Sequence, residues 1–117
     1  MIIVMGSFRL PLASFDAARP MMEKVIAATR AEDGCLLYAY SHDLIDPELV
    51  RVSEKWRDRA ALDAHFQTEH MQVWMTERAS LGLSERDIKV EYVRTFLPED
   101  ETPDQTSGQV AYSYTLE

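Results

Sequence analysis

Between residues 54 and 74 the chain gathers most of the side chains able to move a proton or hold a flat organic ligand: Glu54, His65, His70, Met71 and Trp74. His65 follows Leu62 by three residues and precedes Phe66, which puts it on the inward stripe of a helix. An imidazole titrates near neutrality, so His65 there is either a general base or hydrogen-bond donor, or a buried neutral ring satisfied by a carbonyl. His70 sits near a break between two short helices. It either reaches the same space or caps the second helix. Met71 and Trp74 share its face, as core or as the apolar wall of an aromatic site. Glu54 alternates with Val52 and Trp56 on a strand, so its carboxylate is either paired, with Arg9 or Arg94, or raised in pKa. Tyr38, Tyr40 and Tyr92 suit a pocket or an interface. Ser7 and Arg9, alternating with Met5, could add polar contacts.

Several chemistries lack support. His65 and His70 are five apart and turn away from each other on a continuous helix. Their spacing is not the His-Glu-x-x-His zinc pattern, and no metal site is expected. The chain has no glycine-rich phosphate loop and no dinucleotide fingerprint. Cys35 follows a helix C-terminus, whose dipole raises a thiol pKa and disfavours a nucleophile.

The elements that must position these groups follow from pattern and punctuation. Ile2–Arg9 reads as a strand ended by Pro11. Phe15, Ala18, Met22, Val25, Ile26 and Thr29 then fall at helical spacing, with Ser14 or Asp16 as N-cap and Pro20 tolerable only in the first turn. Asp33-Gly34 closes this helix, Gly34 serving as the left-handed C′ residue. Strands over Cys35–His42 and Leu49–Trp56 form a hairpin through Asp46-Pro47. A helical region from Asp58 to about Ser80 breaks near Thr68, Gly82 ends it, and 88–96 makes a fourth strand. The order βαββαβ is that of an α+β, ferredoxin-like domain over 1–97. An acidic linker follows at 98–109. Residues 110–117 alternate as a strand needing a sheet edge, or form a tail.

At 117 residues this is one domain with enough chain for a core. A net charge of −8 argues against nucleic acid or an anionic membrane as partner. A single cysteine, no basic-then-apolar leader and no long apolar run suit a cytoplasmic protein. The first strand (Ile2, Ile3, Val4, Met5) and the second (Leu36, Leu37, Tyr38, Tyr40) offer apolar groups to both faces. The helices of such a domain cover one face only, so a homodimer through the other is expected.

Thr-Arg-Ala-Glu-Asp-Gly-Cys-Leu-Leu-Tyr at 29–38, the Glu-Lys-Trp strand end at 54–56, Ala-Leu-Asp-Ala-His at 61–65 and the Glu-His-Met that follows resemble the antibiotic biosynthesis monooxygenase family. The resemblance spans residues 2–96 and implies a dimeric α+β barrel with a pocket between helices and sheet. It further implies oxidation of phenols or quinols by molecular oxygen without metal or flavin, and a pocket position for His65. Haem-degrading members use an Asn, a Trp and a His. The positions corresponding here are about Ser7, His65 and Met75, which disfavours haem degradation.

The expected function is therefore cofactor-free monooxygenation of a planar phenolic or quinol-like molecule, with oxygen as co-substrate. His65 is the base and His70 an orienter or second donor. Trp74, Tyr40, Met71, Glu54 and Ser7 contact the substrate. The alternatives are a non-catalytic small-molecule- or partner-binding dimer, and an isomerase or cyclase of the same architecture.

Overall fold

The computed structural model describes residues 1–93 and 112–116. The central strand is β1 (Ile2–Arg9), followed by a 3-10 turn at Leu12–Ser14 and helix α1 (Phe15–Arg30). Strands β2 (Cys35–His42) and β3 (Leu49–Trp56) form the hairpin. Helices α2 (Arg59–Phe66) and α3 (Glu69–Glu77), a 3-10 turn at Arg78–Leu81, β4 (Ser84–Tyr92) and β5 (Tyr112–Leu116) complete the chain. The sheet is antiparallel in the order β2-β3-β1-β4-β5, a ferredoxin-like core extended by one strand.

Side chains alternate across a strand, and here the alternation separates two unlike faces. Ile2, Val4 and Phe8 of β1, Val50, Val52 and Trp56 of β3, and Ile88 and Val90 of β4 are buried under the helices. They meet Val25, Leu62 and Trp74 there. The opposite face carries exposed Met5, Leu37 and Arg51, with Ser7 and Ser53 among them. Among the described residues no helix is long and apolar enough to cross a membrane.

Four local expectations need correction. Pro20 lies inside α1 rather than in its first turn. Its ring faces solvent, so water can satisfy the Asp16 carbonyl that Pro20 leaves without a donor. Ser14 does not cap α1 through its side chain; its hydroxyl donates to the Leu81 carbonyl at 2.7 Å. Gly34 has the left-handed conformation (φ 86°) but sits beyond the helix cap, which is Ala31. Its lack of a Cβ matters for a second reason: a Cβ there would lie 2.5 Å from the Ala61 methyl of α2. Finally, β4 begins at Ser84, four residues before the expected start, because its pairing with β1 resumes beyond a register shift to join Ser84 to Arg9.

The final strand is the fifth of this sheet. It runs antiparallel to β4, with Tyr112 opposite Tyr92 and Leu116 opposite Ile88. The linker expected at 98–109 lies outside the described residues, as do Arg94, Phe96 and Val110.

Candidate active site

Three elements converge beneath the sheet's covered face: the α1–β2 loop with Glu32, α2 with His65, and α3 with His70. The loop is shaped by backbone bonds from Glu32 to the Thr29 carbonyl (3.0 Å) and from Cys35 to the Glu32 carbonyl (3.2 Å). The bare Gly34 lets it press against the first turn of α2. Asp58 starts α2, its carboxylate accepting from the Ala61 N–H at 2.9 Å.

Thr68 makes the break between α2 and α3. In extended conformation, it accepts from the Met71 N–H at 3.3 Å and donates to the His65 carbonyl at 2.7 Å. It thus ends one helix and starts the next. His65 and His70 would diverge only on a continuous helix. Across the break both point at Glu32. Loss of a threonine N-cap costs about 1 kcal/mol. Thr68→Ala is therefore expected to lower stability by about that amount, read by urea unfolding.

One oxygen of Glu32 accepts from both rings, from His65 Nδ1 at 2.8 Å and from His70 Nε2 at 2.7 Å. A carboxylate only accepts, so both contacting nitrogens carry hydrogen. That fixes the neutral His65 tautomer and leaves Nε2 as its basic nitrogen. His65 is almost wholly buried among Trp56, Phe66 and Tyr38, with ring centroids 4.8, 5.2 and 5.4 Å away. Burial lowers its pKa below the ordinary value against the opposing pull of Glu32. The ring is therefore neutral at pH 7, as a general base must be.

His65 lines a cavity of about 30 Å³ together with Tyr38, Tyr40, Glu54, Arg78 and Arg86. Met71 also lines it, whereas Trp74 does not. Trp74 is core, 1% exposed, at the floor of a separate cleft of about 250 Å³ between α1 and α3, onto which His70 opens. Ser7 stands on the opposite face of the sheet, beside Met5, Arg51 and Ser53, and does not join the site. The alternation of β1 dictates this, since Val4 and Phe8 face the helices. A groove of about 360 Å³ between α1 and β2 carries Phe15 and His42, and it meets the His65 cavity only at Tyr40.

Glu54 is buried on the cavity wall and accepts from the Trp56 indole N–H at 2.8 Å. Burial pushes its pKa up to about 7, despite the Trp56 bond and the attraction of Arg86. Arg9 is not its partner, being engaged with Asp46 at 2.8 Å and Glu85 at 3.3 Å. The Tyr38 and Tyr40 hydroxyls meet at 2.8 Å. Burial holds both phenols protonated, with Tyr40 at about 12. Cys35 is likewise raised, by burial first and then by Glu32 and Glu54, so it is a poor nucleophile.

Glu32 is the residue that sequence reasoning did not single out for chemistry. It sits in a loop, where no periodicity assigns a direction. The donor atoms of Glu32, His65 and His70 lie within 4.8 Å of one another, a carboxylate and two imidazoles that could chelate a divalent cation. Such an ion would have to displace both ring protons now held by Glu32.

The model of the family described as antibiotic biosynthesis monooxygenase matches residues 1–77, which include all three site residues. The chain belongs to the antibiotic biosynthesis monooxygenase family. An uncharacterized protein of Synechocystis, sll1783, is 28% identical over 89 residues, covering 76% of this chain and 60% of its own length. Rv0793 of Mycobacterium tuberculosis, provisionally named a monooxygenase, is 38% identical over 66 residues, or 56% of this chain and 61% of that one. The chain thus spans about three fifths of the length of these curated relatives. A crystal structure from Deinococcus radiodurans, provisionally titled an antibiotic biosynthesis monooxygenase, superimposes with a TM-score of 0.76 at 25% identity. That match covers 83% of this chain and 96% of the other.

Proposed function

We propose that this family member is a cofactor-independent monooxygenase acting on a planar phenol or quinol-like molecule. The observation that carries the reading is the Glu32 carboxylate on His65 Nδ1, which leaves a neutral, buried Nε2 as base. His65 takes a proton from the substrate, and the resulting anion gives one electron to oxygen. Recombination of the radical pair forms a peroxide anion at carbon, which is protonated by the His65 imidazolium to the hydroperoxide. Loss of water leaves a carbonyl, so a CH2 and O2 become C=O and H2O. The side chains around the cavity exclude bulk water and keep the radical pair together.

His70, half-buried on the same Glu32 oxygen, offers that proton a route to the α1–α3 cleft. The cavity holds only about two waters, so a ring system enters by displacing neighbouring side chains. The exposed Met5 and Leu37 on the uncovered sheet face support a homodimer through that face, and the composition suits a cytoplasmic setting.

Oxygen uptake by metal-free protein with quinols, naphthols and anthrone-like phenols tests the reading. Uptake above a no-protein control is expected. Turnover that persists without oxygen would replace it with an isomerase or cyclase, and tight binding without turnover with a sequestering module.

A further inference from the structure

Arg78 is half-buried in the wall of the His65 cavity, and among the described residues no carboxylate pairs with it. A second guanidinium, Arg86, lines the same cavity. The two come from different elements, the 3-10 turn after α3 and β4, and burial first, then Arg86, disfavours the charge of Arg78. A half-buried guanidinium without a carboxylate partner is costly, and a chain of net charge −8 has carboxylates to spare for Arg78. The Tyr38–Tyr40 hydroxyl pair and Glu54 line the same cavity.

We infer that this cavity is an anion-binding site whose ligand is a small aromatic carboxylic acid, the carboxylate docking on Arg78 beside Arg86. The inference rests on the reading of the cavity as the substrate site and narrows the substrate to acids. Size agrees. A space of about 30 Å³ has room for about two waters, and a carboxylate group is of that order, whereas a ring system is not. The carboxylate therefore fits the existing space at Arg78, and the ring takes the room that displaced side chains open beside it. A guanidinium presents paired N–H donors that match two carboxylate oxygens, a fit that an ammonium lacks. Glu54 in its protonated form adds a donor rather than a repelling charge.

The test is calorimetric binding of 1-naphthoate and of its neutral isostere 1-naphthamide to the full-length protein, without oxygen turnover being read. The native protein is expected to prefer the acid at least tenfold. Arg78→Gln should collapse that preference by about tenfold or more, and Arg78→Lys should restore only part of it. Circular dichroism and melting temperature confirm that each variant is folded, and Arg86→Gln, in β4, supplies a second variant should Arg78→Gln not fold. Equal binding of acid and amide, or a preference that survives both substitutions, would overturn the inference. Its failure is separable from that of the oxygenase reading. Acid binding without oxygen uptake sinks only the latter, and uptake with neutral quinols that is indifferent to Arg78 sinks only the former.

Discussion

His65→Ala is expected to cut oxygen-dependent turnover by about 10²–10⁴-fold, the range a positioned general base contributes. His65 alone combines a place on the cavity wall with a fixed tautomer, because Glu32 holds Nδ1–H at 2.8 Å. Without the imidazole the cavity wall keeps Glu54, which titrates near 7 but is held by the Trp56 indole N–H. Tyr38 and Tyr40 are held protonated by burial, and His70 opens to a different cleft. Alanine also leaves a void beside Trp56, so a loss of stability accompanies the loss of rate. His65→Gln separates the two effects. Its amide N–H can still donate to Glu32 and its volume fills most of the space, but it offers no basic nitrogen. A folded His65→Gln protein with undiminished oxygen uptake would remove His65 from the mechanism. In the native protein the acid limb of the rate should fall below the usual imidazole midpoint, since burial lowers the pKa of His65.

Glu32→Gln complements that experiment with a smaller effect. It preserves the shape of the loop but presents one oxygen acceptor without charge to two imidazoles. Both rings then lose a charge-assisted bond, which is stronger than its neutral counterpart.

The order of elements was legible because hydrophobic alternation and punctuation agree at most boundaries, the end of α1 and the start of β4 excepted. Asp46-Pro47 sits in the β2–β3 turn, and Val50, Val52 and Trp56 keep strict alternation under the helices. His65 was legible for the same reason, lying on the stripe of Leu62. Glu32 was not, because a loop residue has no period. The backbone bonds of its loop and the close approach of Gly34 to Ala61 bring its carboxylate under α2. Ser7 misled for the opposite reason. Its polarity suggested a pocket, yet the pleat that buries Val4 and Phe8 turns it to the far face. Trp74 matched a ligand wall by type, but the α1–α3 packing absorbs it into the core. The Arg78–Arg86 pair depends on a 3-10 turn and a strand meeting across a cavity, which no single segment reveals.

Glu54→Gln is expected to stabilise the protein above neutral pH while having little effect near pH 4. The carboxyl of Glu54 sits at about 7 in the folded state, against an ordinary value of 4.5. The folded state therefore holds its proton more tightly than the unfolded chain. Below pH 4.5 both states are protonated and the native carboxyl carries no penalty. Between 4.5 and 7 the unfolded chain ionises first, and stability falls as pH rises. Above 7 both are ionised and the buried charge costs the fold about 3 kcal/mol, an order-of-magnitude figure from the displacement of the pKa. Glutamine keeps an oxygen for the Trp56 indole N–H and carries no charge to desolvate. Urea unfolding of both proteins at pH 4, 6 and 8.5 gives the comparison, with the gap widening monotonically towards alkaline pH. A gap independent of pH would mean that Glu54 is ionised at little cost in the folded state, and that Arg86 neutralises it more fully than its burial allows. Retaining a carboxyl at this energetic cost, where an amide would make the same indole bond, is itself an argument for chemistry on the cavity wall.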